Sequence, residues 1–475
     1  MRLLYLKYKV ELVLVVLPIL ILFILRWLGF DGMVGQDSYS YVDYGNNIKQ
    51  ALLTTTHPGD FRWPQGYPLL GALLSFTGLS VGFCLQIISC FSLSISLIFV
   101  HKVVKEIYPN VCQNTSLIYL VLFGVLAPYY IRNGMLTMSD IVACCLMVVA
   151  VFYGFRYTVK QRFYYLMYFS VAAAYGIFVR YPVALVLVPI TIYILIKWGR
   201  EIKKINHLLV LVVPVSVYFL HVYFEQNATG FLNHEAINNW SLSNYFSATF
   251  HTNQGTFHYL LPNLLYVFYP IAHYGFVLLG LLFVVFLIKD QQVKHPLLRI
   301  AILSYILYAL FMAGVDTQNP RHLLIVHPLV LMVCFYGFNK VYQFPIIYKY
   351  RRVLLVLGVL FQVGVTTLAF KTIYVRNQLE QQITNSVEKY NGALLYGFDI
   401  DIALKSRNHQ LRIINLWEEE YQQFEKGALV LFNEERFKVQ WEGENPMLNW
   451  NHLQHNYQLI EIEQYPNNWK LYKIE

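Results

Sequence analysis

Runs of about 20 apolar residues recur from residue 10 to residue 371, each long enough to cross a hydrocarbon core about 30 Å thick as a helix. The pattern predicts eleven spans, near 10–29, 82–101, 115–133, 137–155, 163–180, 182–198, 207–224, 264–288, 297–314, 322–338 and 353–371. Three segments are too long or too polar to be simple turns: 30–81, 225–263 and the tail from 372 to 475. In the first, Asp37 opens a stretch where Tyr41, Tyr44, Ile48 and Leu52 recur at helical spacing, which predicts an amphipathic helix lying on the membrane surface. Pro58, Gly59, Pro64, Gly66 and Pro68 then break the chain into turns. The tail carries strand patterns at 393–398, 411–416, 428–432, 457–463 and 469–474 and a Glu-rich helical pattern at 417–426. The expected fold is an α-helical polytopic membrane protein, residues 1–371 with the outer loop 30–81, followed by a small α/β domain over 372–475.

Composition agrees with this pattern. Hydrophobic residues make up 57% of the 475, and charged residues only 13%, far from the balance of a soluble domain. Arg2, Lys7 and Lys9 precede the first apolar run, but no small-residue cleavage site follows, so it reads as a retained span rather than a signal. If the amino end is cytoplasmic, nineteen Lys and Arg before residue 371 fall on that face. The other face receives six: Arg26, Lys49, Arg62, Arg132, Arg180 and Arg321. This is the asymmetry of the positive-inside rule, and it places the tail outside the cytoplasmic membrane. The net charge of +9 is thereby mostly a topology signal, and nucleic acid is not an expected partner. Six cysteines fall in spans or on the cytoplasmic side, with neither a disulfide framework nor zinc spacing. No Gly-rich phosphate loop and no internal repeat stands out.

The same alternation gathers chemistry at the outer boundary. Asp37, Asp43 and Arg62 lie in the first outer loop, with Asp140 at the start of the fourth span, Arg180 at the end of the fifth, and Arg321 with His322 entering the tenth. Ionisable residues at membrane depth are expensive and usually face a cavity and a partner. Plainer readings stand beside this one. Asp37 and Asp140 each precede a helix and suit N-caps. Arg180 and Arg321 could snorkel to headgroups, and Arg62 could stack on Trp63. His57 with Asp60 could ligate a metal, although a solvated loop histidine accounts for the same residues. His221, His251, His258 and His273 read as interfacial or packing residues.

The order of motifs resembles the GT-C superfamily of glycosyltransferases, nearest to the group with protein O-mannosyltransferases and the lipid A aminoarabinose transferase. The likeness rests on Gly35-Gln36-Asp37-Ser38-Tyr39 opening a surface helix and on Arg62-Trp63-Pro64-Gln65-Gly66-Tyr67-Pro68-Leu69-Leu70. It continues in Leu136-Thr137-Met138-Ser139-Asp140, Arg180-Tyr181-Pro182 and Asn319-Pro320-Arg321-His322-Leu323-Leu324. It covers residues 1 to about 340 in order. The resemblance implies a polyprenyl-phosphate-linked sugar donor, a glycan, lipid or protein acceptor, and surrounding membrane lipids. It implies Asp37 as general base, Asp140 as acceptor-positioning or charge-supporting group, and Arg321, Arg180 and Arg62 on the donor phosphate. Tyr39, Tyr67 and His322 are cavity candidates. Here Ser38 stands where the protein mannosyltransferases carry a second acidic residue, and His322 where the pattern has tyrosine. No cofactor is named by the pattern, and a divalent metal stays open.

Other classes compete. A transporter or flippase could recognise an anionic substrate with the same outer cluster, but would be expected to carry charges at mid-span. A surface-polysaccharide polymerase or ligase would concentrate arginines in a late outer loop, whereas 225–263 contains no Lys or Arg.

Overall fold

The computed structural model describes every residue except Met1, Lys203, residues 225–237, Asn253, Val277, Leu278, Asn408 and His409. Among the described residues eight helices are long and apolar enough to cross a membrane, and a bent pair adds a ninth if it is one span, against eleven expected spans. These include α1 (Arg2–Trp27), α4 (Val81–Ile107) and α7 (Asp140–Lys160). The two short helices of the first loop are α2 (Gly35–Thr54) and α3 (Gly66–Ser75). The third expected span is bent by 68° between α5 (Gln113–Leu120, continued to Val125) and α6 (Pro128–Gly134). Pro128 opens α6, where its missing N–H costs nothing but the preceding residue is driven out of helical geometry. The fifth is the short α8 (Phe163–Val179), followed by α9 (Val183–Lys197) and α10 (Val212–Phe224). The expected span 264–288 is not one helix: short turns at Asn263–Tyr266 and Tyr269–Ala272 precede α11 (Leu279–Lys289). Pro270 starts the second turn, and His273 Nδ1 accepts the Gly275 N–H at 2.9 Å, so a side chain holds the break.

Then come α12 (Pro296–Ala313), α13 (His327–Tyr342, entered by a 3-10 turn from His322) and α14 (Pro345–Val387). Mostly buried, α7 and α13 form the centre, with α1 and α14 peripheral. The 43-residue α14, about twice as long as a hydrocarbon core is thick at about 1.5 Å per residue, carries the tail domain on its end. That domain is a five-stranded sheet, β3 (Leu394–Gly397), β4 (Arg412–Asn415), β5 (Leu429–Phe432), β6 (Leu459–Tyr465) and β7 (Trp469–Ile474), in the order β4-β3-β5-β7-β6. The β4-β3-β5 pairs are parallel and the others antiparallel. Leu394-Leu395-Tyr396 and Leu429-Val430-Leu431-Phe432 are buried on both faces, as continuous apolar runs in central strands should be. Helices α15 (Asp401–Arg407) and α16 (Asn445–Asn456) complete it, Trp450 of α16 stacking on Phe432 at 4.6 Å.

The expected helix at 417–426 is absent; the segment is turn and loop. Distant side chains take the backbone groups a helix would use. Asn449 Oδ1 accepts from Tyr421 N at 2.7 Å, Tyr457 OH from Phe424 N at 3.0 Å and Tyr396 OH from Glu425 N at 3.2 Å. Tertiary partners therefore override the local propensity. A hairpin, β1 (Thr249–Thr252) and β2 (Gly255–His258), reaches the tail domain from the loop before α11.

Candidate active site

Helix α2 lies on the face at which α7 starts, α8 ends and the segment to α13 enters. This placement brings four side chains, 37, 140, 180 and 321, together. Val34, not Asp37, caps α2, and Ser38 Oγ bonds back to the Val34 backbone. Likewise Ser139 precedes α7, with Asp140 its first residue. Neither carboxylate works as a side-chain N-cap; both go to guanidinium groups.

Arg321 Nε donates to Asp140 Oδ2 at 2.6 Å, and its Nη1 donates to Asp37 Oδ2. Arg180 Nη1 lies 2.7 Å from the other Asp140 oxygen. Asp140 is buried with 2% of its side chain accessible, whereas Asp37 keeps 31%. Asp140 is thus the inner counter-charge of two arginines, and Asp37 the outer, solvent-reached carboxylate. Two carboxylates balance two guanidiniums. The turn that presents Arg321 is pinned by Asn319 Oδ1 to the Arg321 N–H at 3.1 Å, by Tyr129 OH to the Pro320 carbonyl at 2.5 Å and by Tyr308 OH to the His322 carbonyl at 2.8 Å. Neither arginine reaches out to headgroups.

The cluster opens into a cavity of about 690 Å³. Its floor carries Asp37, Tyr41, Arg180, Arg321 and His322, and Arg62 lies in its side wall with the guanidinium 5.4 Å from the Trp63 ring centroid. An apolar wall, Ala184, Leu185, Phe311, Met312 and Val315, faces between α9 and α12. Its roof belongs to the tail domain, through Asp399, Trp417, Arg436, Gln440 and Trp441, and to the hairpin, through Thr252 and Phe257.

Two expected cavity residues lie elsewhere. Tyr39 is fully buried at the joint with the tail domain, donating to Glu380 Oε2 at 2.7 Å and accepting from Arg407 Nε at 3.0 Å. Two residues along a helix is a rotation of about 200°, so Tyr39 faces away from Asp37 while Tyr41, four on, shares its side. Tyr67 is buried beneath the floor, its hydroxyl 2.8 Å from Ser89 Oγ and 3.0 Å from the Leu85 carbonyl, with its ring edge-on to Tyr41 at 5.2 Å. His57 uses both ring nitrogens on backbone, Nδ1 accepting from Gly59 N at 3.0 Å and Nε2 3.3 Å from the Tyr223 carbonyl. Among the described residues no three His, Cys, Asp or Glu side chains converge as a metal-binding group. His251 and His258 bond across the hairpin to Thr256 and Thr249, and His221 to Gln65. The roof was not legible in the sequence; nothing in spacing ties Trp417 or Arg436 to Asp37.

A polytopic helical bundle with a charged cavity at one face, covered by a small α/β domain, is the class that the fold and the site define. Residues 68–224, about a third of the chain, match the model of the family described as dolichyl-phosphate-mannose-protein mannosyltransferase. No curated protein matches the sequence. ArnT from Cupriavidus metallidurans bound to undecaprenyl phosphate aligns at TM-score 0.58 and 13% identity, over 96% of this chain and 97% of that one. Its apo form gives a TM-score of 0.54 at 13% identity, with the same coverage. The apo oligosaccharyltransferase from Archaeoglobus fulgidus gives 0.52 at 10% identity, over 96% of this chain and 70% of that one. The chain has the GT-C fold that its motif order resembles.

Proposed function

We propose that this protein is an integral membrane glycosyltransferase that moves a monosaccharide from a polyprenyl-phosphate donor to an acceptor hydroxyl, with inversion. The observation carrying this reading is Arg321, shared between Asp37 and the buried Asp140 at the floor of the cavity. A guanidinium holds phosphate oxygens bidentately, and Arg321 needs only to release Asp37 to do so, because Asp140 keeps it in place. Arg180, on the same carboxylate, and Arg62 in the wall add positive charge for the departing phosphate. Asp140 then supports charge rather than positioning the acceptor. Asp37, released by the incoming phosphate, is the base. It takes the acceptor proton as the acceptor oxygen bonds to the anomeric carbon and the bond from that carbon to the phosphate oxygen breaks. The electron pair leaves with the polyprenyl phosphate, and a nearby carboxylate favours oxocarbenium character in between.

The apolar wall between α9 and α12 suits the prenyl chain, in keeping with a structural neighbour that binds undecaprenyl phosphate. The asymmetry of basic residues supports an extracytoplasmic cavity and tail domain in the cytoplasmic membrane. In this reading residues 1–371 form the transferase domain and 372–475 the domain that closes it. The test is mass spectrometry of outer glycans and lipid-linked sugars from cells with and without the protein. Loss of one sugar with accumulation of a polyprenyl-phosphate monosaccharide is expected; unchanged glycans with altered solute uptake would overturn the reading.

A further inference from the structure

We infer, resting on the transfer reading above, that the acceptor is a neutral carbohydrate, held by the aromatic and amide side chains that the tail domain and the β1–β2 hairpin place over Asp37. The donor accounts for the floor and the apolar wall of the cavity; it does not account for the roof. There Trp417 and Trp441 meet at 6.4 Å with their planes 77° apart, and Phe398 stands edge-on to Trp441 at 4.9 Å. Trp417 is half-buried and lines the cavity. Aromatic surface of this kind packs against the C–H groups on a sugar ring. Around it stand groups that hydrogen-bond hydroxyls without carrying charge: Gln440, Gln254, Thr252, Asn239 and Thr317.

Charge decides against an anionic acceptor. The charged side chains with which the tail domain lines the cavity are Arg436 and Asp399, and they pair with each other at 3.1 Å. Asp399 also receives Arg376 at 2.8 Å, and Arg376 is bound in turn by Glu380. Two arginines and two carboxylates leave no net charge, and none of the described lining residues is a lysine. With Arg62, Arg180 and Arg321 given to the donor phosphate in the reading above, a phosphorylated acceptor would have to break this network to find a cation at the roof, and it would also face Asp316 in the lining, whereas a hydroxyl-rich one need not. The hairpin is fixed against the roof: Thr256 N donates to the Gln440 carbonyl at 2.9 Å, and Gln440 Nε2 donates to the Gln254 carbonyl at 3.2 Å. Both sides of the acceptor space therefore belong to one assembled wall.

The experiment uses the full chain in lipid nanodiscs, applied to an array of neutral oligosaccharides, phosphorylated and carboxylated glycans, and Ser/Thr peptides. The same samples are assayed separately for undecaprenyl phosphate binding by native mass spectrometry. Neutral glycans are expected to be retained. Trp417→Ala should weaken that retention roughly tenfold, Trp417→Phe should restore most of it, and undecaprenyl phosphate binding should be unchanged in both. Preference for anionic glycans or peptides, absence of any glycan retention, or neutral-glycan binding indifferent to Trp417→Ala would each overturn the inference. Failure of the transfer reading would register separately, as undecaprenyl phosphate binding indifferent to Arg321→Ala.

Discussion

The substitution Asp37→Asn separates a catalytic base from a structural ion-pair partner, because the two roles predict opposite signs in one of two measurements. Asparagine keeps the shape of the side chain, and Arg321 stays anchored through its 2.6 Å bond to Asp140. What changes is charge: two guanidiniums facing two carboxylates become two facing one. An incoming phosphate no longer competes with Asp37 for Arg321. Two unit charges about 4 Å apart interact by about 1 kcal/mol in water and about 4 kcal/mol at an effective dielectric of 20. With 31% of the Asp37 side chain accessible, the site lies near the watery end. A gain of about 1–2 kcal/mol follows, or roughly five- to thirtyfold tighter lipid phosphate. Transfer, deprived of its base, should fall by about 10²–10⁴. Undecaprenyl phosphate titrated into purified protein measures the first quantity, and lipid-linked sugar turnover in the same preparation the second. Weaker phosphate binding together with lost activity would mean that Asp37 only holds Arg321 in place, and full activity in a folded variant would remove Asp37 from the chemistry altogether.

Tyr39→Phe removes one hydrogen-bond partner from buried Glu380 and one from Arg407; a loss of about 1–3 kcal/mol should lower the thermal midpoint, and an unchanged midpoint would contradict a stabilising joint. Gly255 has φ of +99°, and a Cβ there would run into the Gln440 carbonyl oxygen. Gly255→Ala should therefore loosen the hairpin by about 1–3 kcal/mol and expose 249–258 to protease; equal cleavage of the two proteins would count against the close approach. Burial pushes the Asp401 carboxyl in the tail domain up to about 7, with Asp399 adding repulsion. Its folded form holds a proton that the unfolded chain, near 3.8, has released. Stability should thus be fully present below that lower value and decline by up to about 1.4 kcal/mol per pH unit as pH rises towards 7, with no further loss above it. Unfolding of the full chain across this range, compared with Asp401→Asn, checks the sign: the variant should lack this component.

The spans were legible because apolar length is a local property that lipid imposes residue by residue. Their breaks were less so. Pro128 and Pro270 stand in plain view, yet whether a proline kinks a span or ends it depends on what accepts the freed backbone groups, as His273 does for Gly275. The five tail strands were readable from apolar runs, whereas 417–426 was misjudged because Asn449, Tyr457 and Tyr396 claim its amides from far along the chain. In the site, alternation of spans placed Asp37, Asp140, Arg180 and Arg321 on one face. The helical period of α2 already separated Tyr39 from Asp37 and joined Tyr41 to it, a signal that the motif alone obscured.

The sequence by itself determined a membrane protein, the sharing of one face by its site charges and the motif order of a known fold, since hydropathy, span alternation and short motifs are written in contiguous residues. Only the tertiary structure decided that Arg321 bridges Asp37 and Asp140. Only there, too, does the tail domain lie over the cavity. Such contacts join residues up to hundreds of positions apart, and their geometry is set by how α2, α7, α13 and α14 pack, which no local pattern encodes.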